Sequence, residues 1–191
     1  MDIQMLQQYL DRNCFDDLFR KLYGNAENTL KYQNRRYRNA LKNFAAKYPG
    51  RSDVCIFSAP GRTEIGGNHT DHQHGIVLAG AVNLDAVAIV SFHNEGVIRL
   101  KSKGYPELKI HLNDTAKHPG DSGTAAIIRG IANRYQENGI HIGGFDMYCV
   151  SDVISGSGIS SSAAFEILLC TIIDHRYNNS SSSPLEIARI A

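Results

Sequence analysis

The hydrophobic period of this chain first changes at Pro49-Gly50, and that change limits the folds open to it. Up to Tyr48 the apolar residues recur at helical spacing. Phe15, Leu18, Phe19 and Leu22 predict a short helix closed near Gly24. Leu30, Tyr37, Leu41, Phe44 and Tyr48 predict an amphipathic helix over 28–48, which Pro49-Gly50 ends. Beyond it the texture is that of strands. Val54–Ser58 is a short β-prone run, expected to stop at Ala59-Pro60-Gly61. The Val-, Ile- and Ala-rich stretch 76–92 predicts two buried strands, and the turn Asn94-Glu95-Gly96 leads into a half-exposed strand over 97–101. Leu108–Leu112 alternates as a further strand. Ala125, Ile128, Ile131, Ala132 and Tyr135 then mark a helix stopped at Asn138-Gly139. Phe145–Val150 reads as a strand, 155–162 as a glycine- and serine-rich turn, and Ala163 to about Tyr177 as an apolar helix. This order predicts an α+β domain, a mixed β-sheet backed by helices, with residues 1–50 as a helical lead-in.

Composition removes several classes of function. At 191 residues the chain has room for one sizeable core, and 42% hydrophobic with 20% charged residues excludes wholesale disorder. Twenty Lys and Arg against 19 Asp and Glu leave a formal charge of +1, so neither a nucleic-acid nor a membrane-surface partner is expected. No apolar run reaches membrane-spanning length. The polar start MDIQMLQQYLDRN does not read as a secretory signal. Cys14, Cys55, Cys149 and Cys170 are scattered without a CxxC pair, which reads as reduced, mostly buried thiols in a cytoplasmic protein.

Two loops carry chemistry. Gly156-Ser157-Gly158-Ile159-Ser160-Ser161-Ser162-Ala163 lies between a strand and a helix. Its glycines permit tight turns, its serines offer hydroxyls, and the helix start adds positive potential, which together make a phosphate cradle. The plainer alternative is a glycine turn with a serine N-cap. It is not a Walker loop, because no Gly-Lys-Ser/Thr follows, and Ser161 stands where a dinucleotide fingerprint needs its third glycine. The second loop, Ala59 to His72, gathers Arg62, Asn68, His69 and Asp71, donors and acceptors suited to sugar hydroxyls and an anion. His69, Asp71, His72 and His74 are also possible metal ligands, though their spacing is not a standard one. A solvated polar loop is the remaining alternative.

Together the loops resemble the GHMP small-molecule kinases, and among them the galactokinases. APGRTEIGGNHTDHQHGIVLAGAV is similar to the galactokinase signature, and GSGISSSAAFE to the family's phosphate loop. The resemblance covers roughly 54–191 and implies a GHMP kinase N-terminal domain that phosphorylates the anomeric hydroxyl of galactose with ATP and Mg²⁺. It implies Arg62 beside the transferring phosphoryl group, and His69 and Asp71, with Asn68, on the sugar. Gly156, Gly158, Ser160, Ser161 and Ser162 would hold the triphosphate, with Ser161 as the Mg²⁺ ligand. Three positions depart from the family pattern: Asn68 replaces a sugar-binding Glu, His72 a Tyr and Ile154 a Pro. The first two keep open another sugar, such as N-acetylgalactosamine or arabinose; a non-catalytic galactose sensor is a further alternative. Ser183-Pro184-Leu185-Glu186 forms a complete capping box before a very short helix. With the family's catalytic Asp segment, its Mg²⁺-binding Glu and its C-terminal domain not present, the chain is expected to be the front part of a longer enzyme and inactive alone.

Overall fold

The computed structural model describes residues 1–67, 76–116, 118, 123–154, 156 and 158–191. Three helices come first: α1 (Ile3–Asp11), α2 (Asp16–Tyr23) and α3 (Glu27–Lys47). Strands β1 (Cys55–Gly66), β2 (Leu78–Phe92), β3 (Val97–Ser102) and β4 (Glu107–His111) follow, then α4 (Gly123–Glu137), β5 (Gly144–Ser151), α5 (Ser161–Tyr177) and α6 (Pro184–Ile190). The sheet order is β1-β2-β5-β3-β4. Only the β3–β5 pair is parallel among these, so the sheet is mixed. The expected α+β class and helix-backed mixed sheet are what the chain forms.

Strand alternation sends side chains to two cores. Ala86, Ala88 and Val90 of β2 and Phe145, Met147 and Cys149 of β5 pack with α4 and α5, around Tyr135, Leu168 and Ile172. Val87 and Ile89 of β2 and Tyr148 and Val150 of β5 face the other way, onto Leu10, Phe19, Tyr37, Leu41 and Phe44 of the lead-in helices. The helices thus cover both faces of one shared sheet.

Four expectations need correction. β1 does not stop at Ala59-Pro60-Gly61 but runs through Pro60 to Gly66. It can do so because it is an edge strand and the ladder is irregular between Pro60 and Arg62, where a missing N–H costs little. The stretch 76–92 is one strand, not two, and only its second half is buried. Residues 78–81 pair with β1 alone, whereas β5 joins from Ala86 onward, so the first half is a two-stranded ribbon without a covering layer. Helix α5 begins at Ser161, so Ser161 and Ser162 belong to its first turn rather than to the preceding loop. Of the cysteines, Cys149 and Cys170 are buried, Cys55 is half-buried and Cys14 is exposed, so "mostly buried" holds for half of them.

Helix α1 was hidden in a polar stretch. Asp2 caps it by accepting from the Gln4 and Met5 amides, and only Leu6 and Leu10 are buried, too few to show a stripe. The capping box at Ser183 and Glu186 is formed as the sequence predicts, with Ile187 and Ile190 resting on the larger core.

Candidate functional site

The glycine-serine turn and the Arg62 strand come from segments about a hundred residues apart, yet they meet. Gly61 lies so close to the turn that a Cβ there would stand 2.9 Å from the Ile159 carbonyl and 3.2 Å from a Val153 methyl. The Arg62 N–H donates to that same Ile159 carbonyl at 3.2 Å. Its side chain turns the same way: Nε donates to Ser160 Oγ at 3.1 Å, and Nη2 lies 3.7 Å from Glu64 Oε1.

The turn has the backbone its glycines were expected to allow. Gly156 (φ 79°) and Gly158 (φ 78°) occupy the left-handed region, where a Cβ is penalised. Ser160, the N-cap of α5, is itself left-handed (φ 57°, ψ 60°) and makes no side-chain cap. Its hydroxyl is engaged by Arg62 instead. The plainer reading of this loop as a serine-capped turn therefore fails. The first intrahelical bond is Ala164 N–H to the Ser160 carbonyl, so the amides of 161–163 precede the helical ladder, at the positive end of the helix dipole. The structure brings together Arg62, Gly156, Gly158, Ser160, Ser161 and Ser162. Asn68, His69 and Asp71, and with them the possible metal ligands His72 and His74, lie outside the described residues.

Beside the serines opens a cleft of about 950 Å³ between α3, the end of β5 and the start of α5. Ser161, Ser162 and Phe165 form one wall, and Arg35, Lys42 and Lys103 contribute cations to it. That charge suits an anionic ligand with a planar apolar part. No motif singled out these three cations. The only available signal was their position, on α3 and just after β3, which becomes informative once the sheet order is known.

A second polar group missed from sequence sits behind the cleft. Asp85 is buried in β2, accepting from Arg36 Nη1 at 2.6 Å, from the Tyr23 hydroxyl at 2.6 Å and from Ser58. Burial opposes the Arg36 charge, but Asp85 outweighs it and the net shift of its pKa is upward. Burial also drives the Tyr23 hydroxyl well above its ordinary value, reinforced by Tyr37 and Asp85. A lone carboxylate inside the run Leu84-Asp85-Ala86-Val87 was the sequence clue, because a buried charge demands a partner.

Residues 42–92 match the family model described as the galactokinase galactose-binding signature. A galactokinase of Clostridium tetani is 27% identical over 163 residues, covering 85% of this chain and 41% of that protein. One from Streptomyces coelicolor is 35% identical over 129 residues, 67% of this chain and 33% of that protein. The chain spans 33–41% of the length of the curated relatives it matches. Among solved structures, Lactococcus lactis galactokinase complexed with galactose superposes with a TM-score of 0.71 at 24% identity, over 78% of this chain and 39% of that one. A mevalonate kinase of Methanococcus jannaschii gives 0.60 at 20% identity, over 75% and 45%. The fold is the one these kinases share. No helix among the described residues is long and apolar enough to cross a membrane.

Proposed function

We propose that this chain, galactokinase-like in signature and GHMP-kinase-like in fold, forms the nucleotide- and sugar-binding N-terminal domain of a cytoplasmic kinase that phosphorylates galactose at its anomeric hydroxyl. The observation that carries the reading is the Arg62–Ser160 contact at 3.1 Å, which joins the galactokinase signature to the glycine-serine turn. Because the chain spans 33–41% of its relatives, the transfer itself is proposed for the protein in its full length.

Each side chain has a physical task. The α5 amides and the hydroxyls of Ser160, Ser161 and Ser162, with Gly156 and Gly158 shaping the turn, would hold the triphosphate of ATP. The adenosine end would lie along the cleft by Phe165, with Lys42 and Lys103 balancing charge. Arg62, already aimed at Ser160, would meet the phosphoryl group as it leaves the nucleotide, where charge builds. Asn68, His69 and Asp71 would orient the sugar. Mg²⁺, when bound, would be carried mainly by the nucleotide phosphates, with Ser161 adding one oxygen and the ion neutralising phosphate charge.

The test is ADP release by the full-length protein with ATP, Mg²⁺ and a panel of sugars. Galactose turnover is expected, and Arg62→Ala should lower kcat by roughly 100-fold or more with the sugar KM little changed. Asn68 favours a second reading, a kinase for another sugar, which turnover of N-acetylgalactosamine or arabinose in place of galactose would support. Absence of ATP-dependent turnover with every sugar would overturn both in favour of a non-catalytic sugar sensor.

A further inference from the structure

The phosphate turn is tethered from behind by the lead-in helix. Arg36 and Tyr32, one turn apart on α3, both reach Asp152, the residue just past β5 where the chain leaves the sheet for the turn. The Tyr32 hydroxyl donates to Asp152 Oδ1 at 2.8 Å, and Arg36 Nη1 lies 3.2 Å from Asp152 Oδ2. The same guanidinium is anchored to the sheet. Nη1 donates to Asp85 Oδ1 at 2.6 Å, and Nη2 donates to the carbonyls of Asp85 at 2.7 Å and Val150 at 3.3 Å. The Asp152 N–H closes the circuit on the Asp85 carbonyl at 2.9 Å.

From Asp152 the constraint passes straight into the site. Val153 is buried, its amide donates to Ser151 Oγ at 3.1 Å, and its methyls form the wall against Gly61. Gly61 and Arg62 hold Ile159 and Ser160 in turn. Between Val153 and α5, Gly156, Gly158 and Ser160 have left-handed backbone and lie outside the strands and helices. A planar fork on several acceptors fixes direction as well as distance, which a point charge does not.

We infer that Arg36, Tyr32 and Asp152 are positioning residues for nucleotide binding: α3 braces the phosphate turn through Asp152, and losing the brace weakens nucleotide but not sugar. This rests on the kinase reading above. Arg36 and Asp85 are themselves poor probes, because stripping one partner from a buried pair destabilises the whole fold. Asp152 and Tyr32 are accessible enough to change alone, with Asp152's side chain 20% exposed and Tyr32 41% exposed.

The experiment uses the full-length protein as parent, Tyr32→Phe, Asp152→Asn and the double variant, with Ile131→Val in the opposite core as a stability control. ATP and galactose affinities are titrated separately, and amide exchange is followed over the segment after Asp152. The double variant should bind ATP about tenfold more weakly with unchanged galactose affinity, and exchange should quicken between Val153 and Ala164 only. The control should change neither readout even at a matched loss of Tm. Exchange after Asp152 that stays as slow as in the parent, or that quickens equally in the control, overturns the brace. If the parent binds no ATP, the kinase reading falls on its own, and the exchange result still decides whether α3 positions the turn.

Discussion

At the scale of single residues, Gly61 shows what sequence reasoning can name without placing. It stands in the motif after β1's apolar run, where the local sequence Ala59-Pro60-Gly61 predicts a strand stop. Its actual task is closeness: the Ile159 carbonyl would be 2.9 Å from any Cβ at this position, nearer than packed atoms tolerate, and that neighbour is backbone. Gly61→Ala should therefore cost about 1–3 kcal/mol of stability by overpacking, read from urea denaturation, and should weaken ATP more than galactose. A variant as stable as the parent with unchanged ATP affinity would show that the two segments separate freely. Arg62 and the serines could be named from sequence because their residue types suit an anion. Arg36 and Lys103 could not, since each gains meaning only from partners brought near by the sheet order, on which local pattern is silent.

At the scale of elements, the long amphipathic helix, the β3–β4 hairpin and β5 were legible because each has a strong period. The β1–β2 ribbon misled, because apolar residues such as Leu78 and Ile65 sit there in the open, 63% and 67% exposed. Joints between elements leave still less trace in sequence. One such joint ties the α3–β1 connection to the sheet. Arg51 Nε pairs with the buried Asp146 of β5 at 2.7 Å and its Nη2 with Glu95 in the β2–β3 turn. Arg99 of β3 bridges the same two acids, at 2.9 Å and 2.5 Å. Arg51 first, then Arg99, holds the Glu95 carboxyl at about 2, below its ordinary 4.5. A depressed carboxylate contributes stability above the unfolded value and loses it as pH falls through the folded one. The Tm difference between the parent and Glu95→Gln should thus be largest near neutrality and shrink between pH 4.5 and about 2. Salt at about 1 M should shrink it at neutral pH too, since Glu95 is exposed. A difference independent of both pH and salt would mean that the carboxylate charge does not hold this joint.

At the scale of the whole molecule, the two cores are not two folding units. β2 and β5 give alternate residues to each, so Ala88 and Val87, or Met147 and Tyr148, are neighbours in chain but opposed in packing. Melting the lead-in layer would expose Val87, Ile89 and Tyr148 and strip one face from strands whose other face supports α5. The strand order adds to this coupling: β5 sits between β2 and β3, so the sheet closes only after the chain has passed through β4 and α4. Phe44→Ala in the lead-in core and Leu168→Ala in the α5 core, both fully buried at 0% exposure, should each lower stability by about 2–5 kcal/mol. Both should do so through the same single transition, with a helix-layer probe and a sheet-core probe melting together. Two separated transitions, with Phe44→Ala moving only the first, would show the lead-in helices to be an independent layer. The glycine-serine turn would then lose its support from α3 before the sheet unfolded, and on the proposed function ATP binding should fail at the first transition rather than the second.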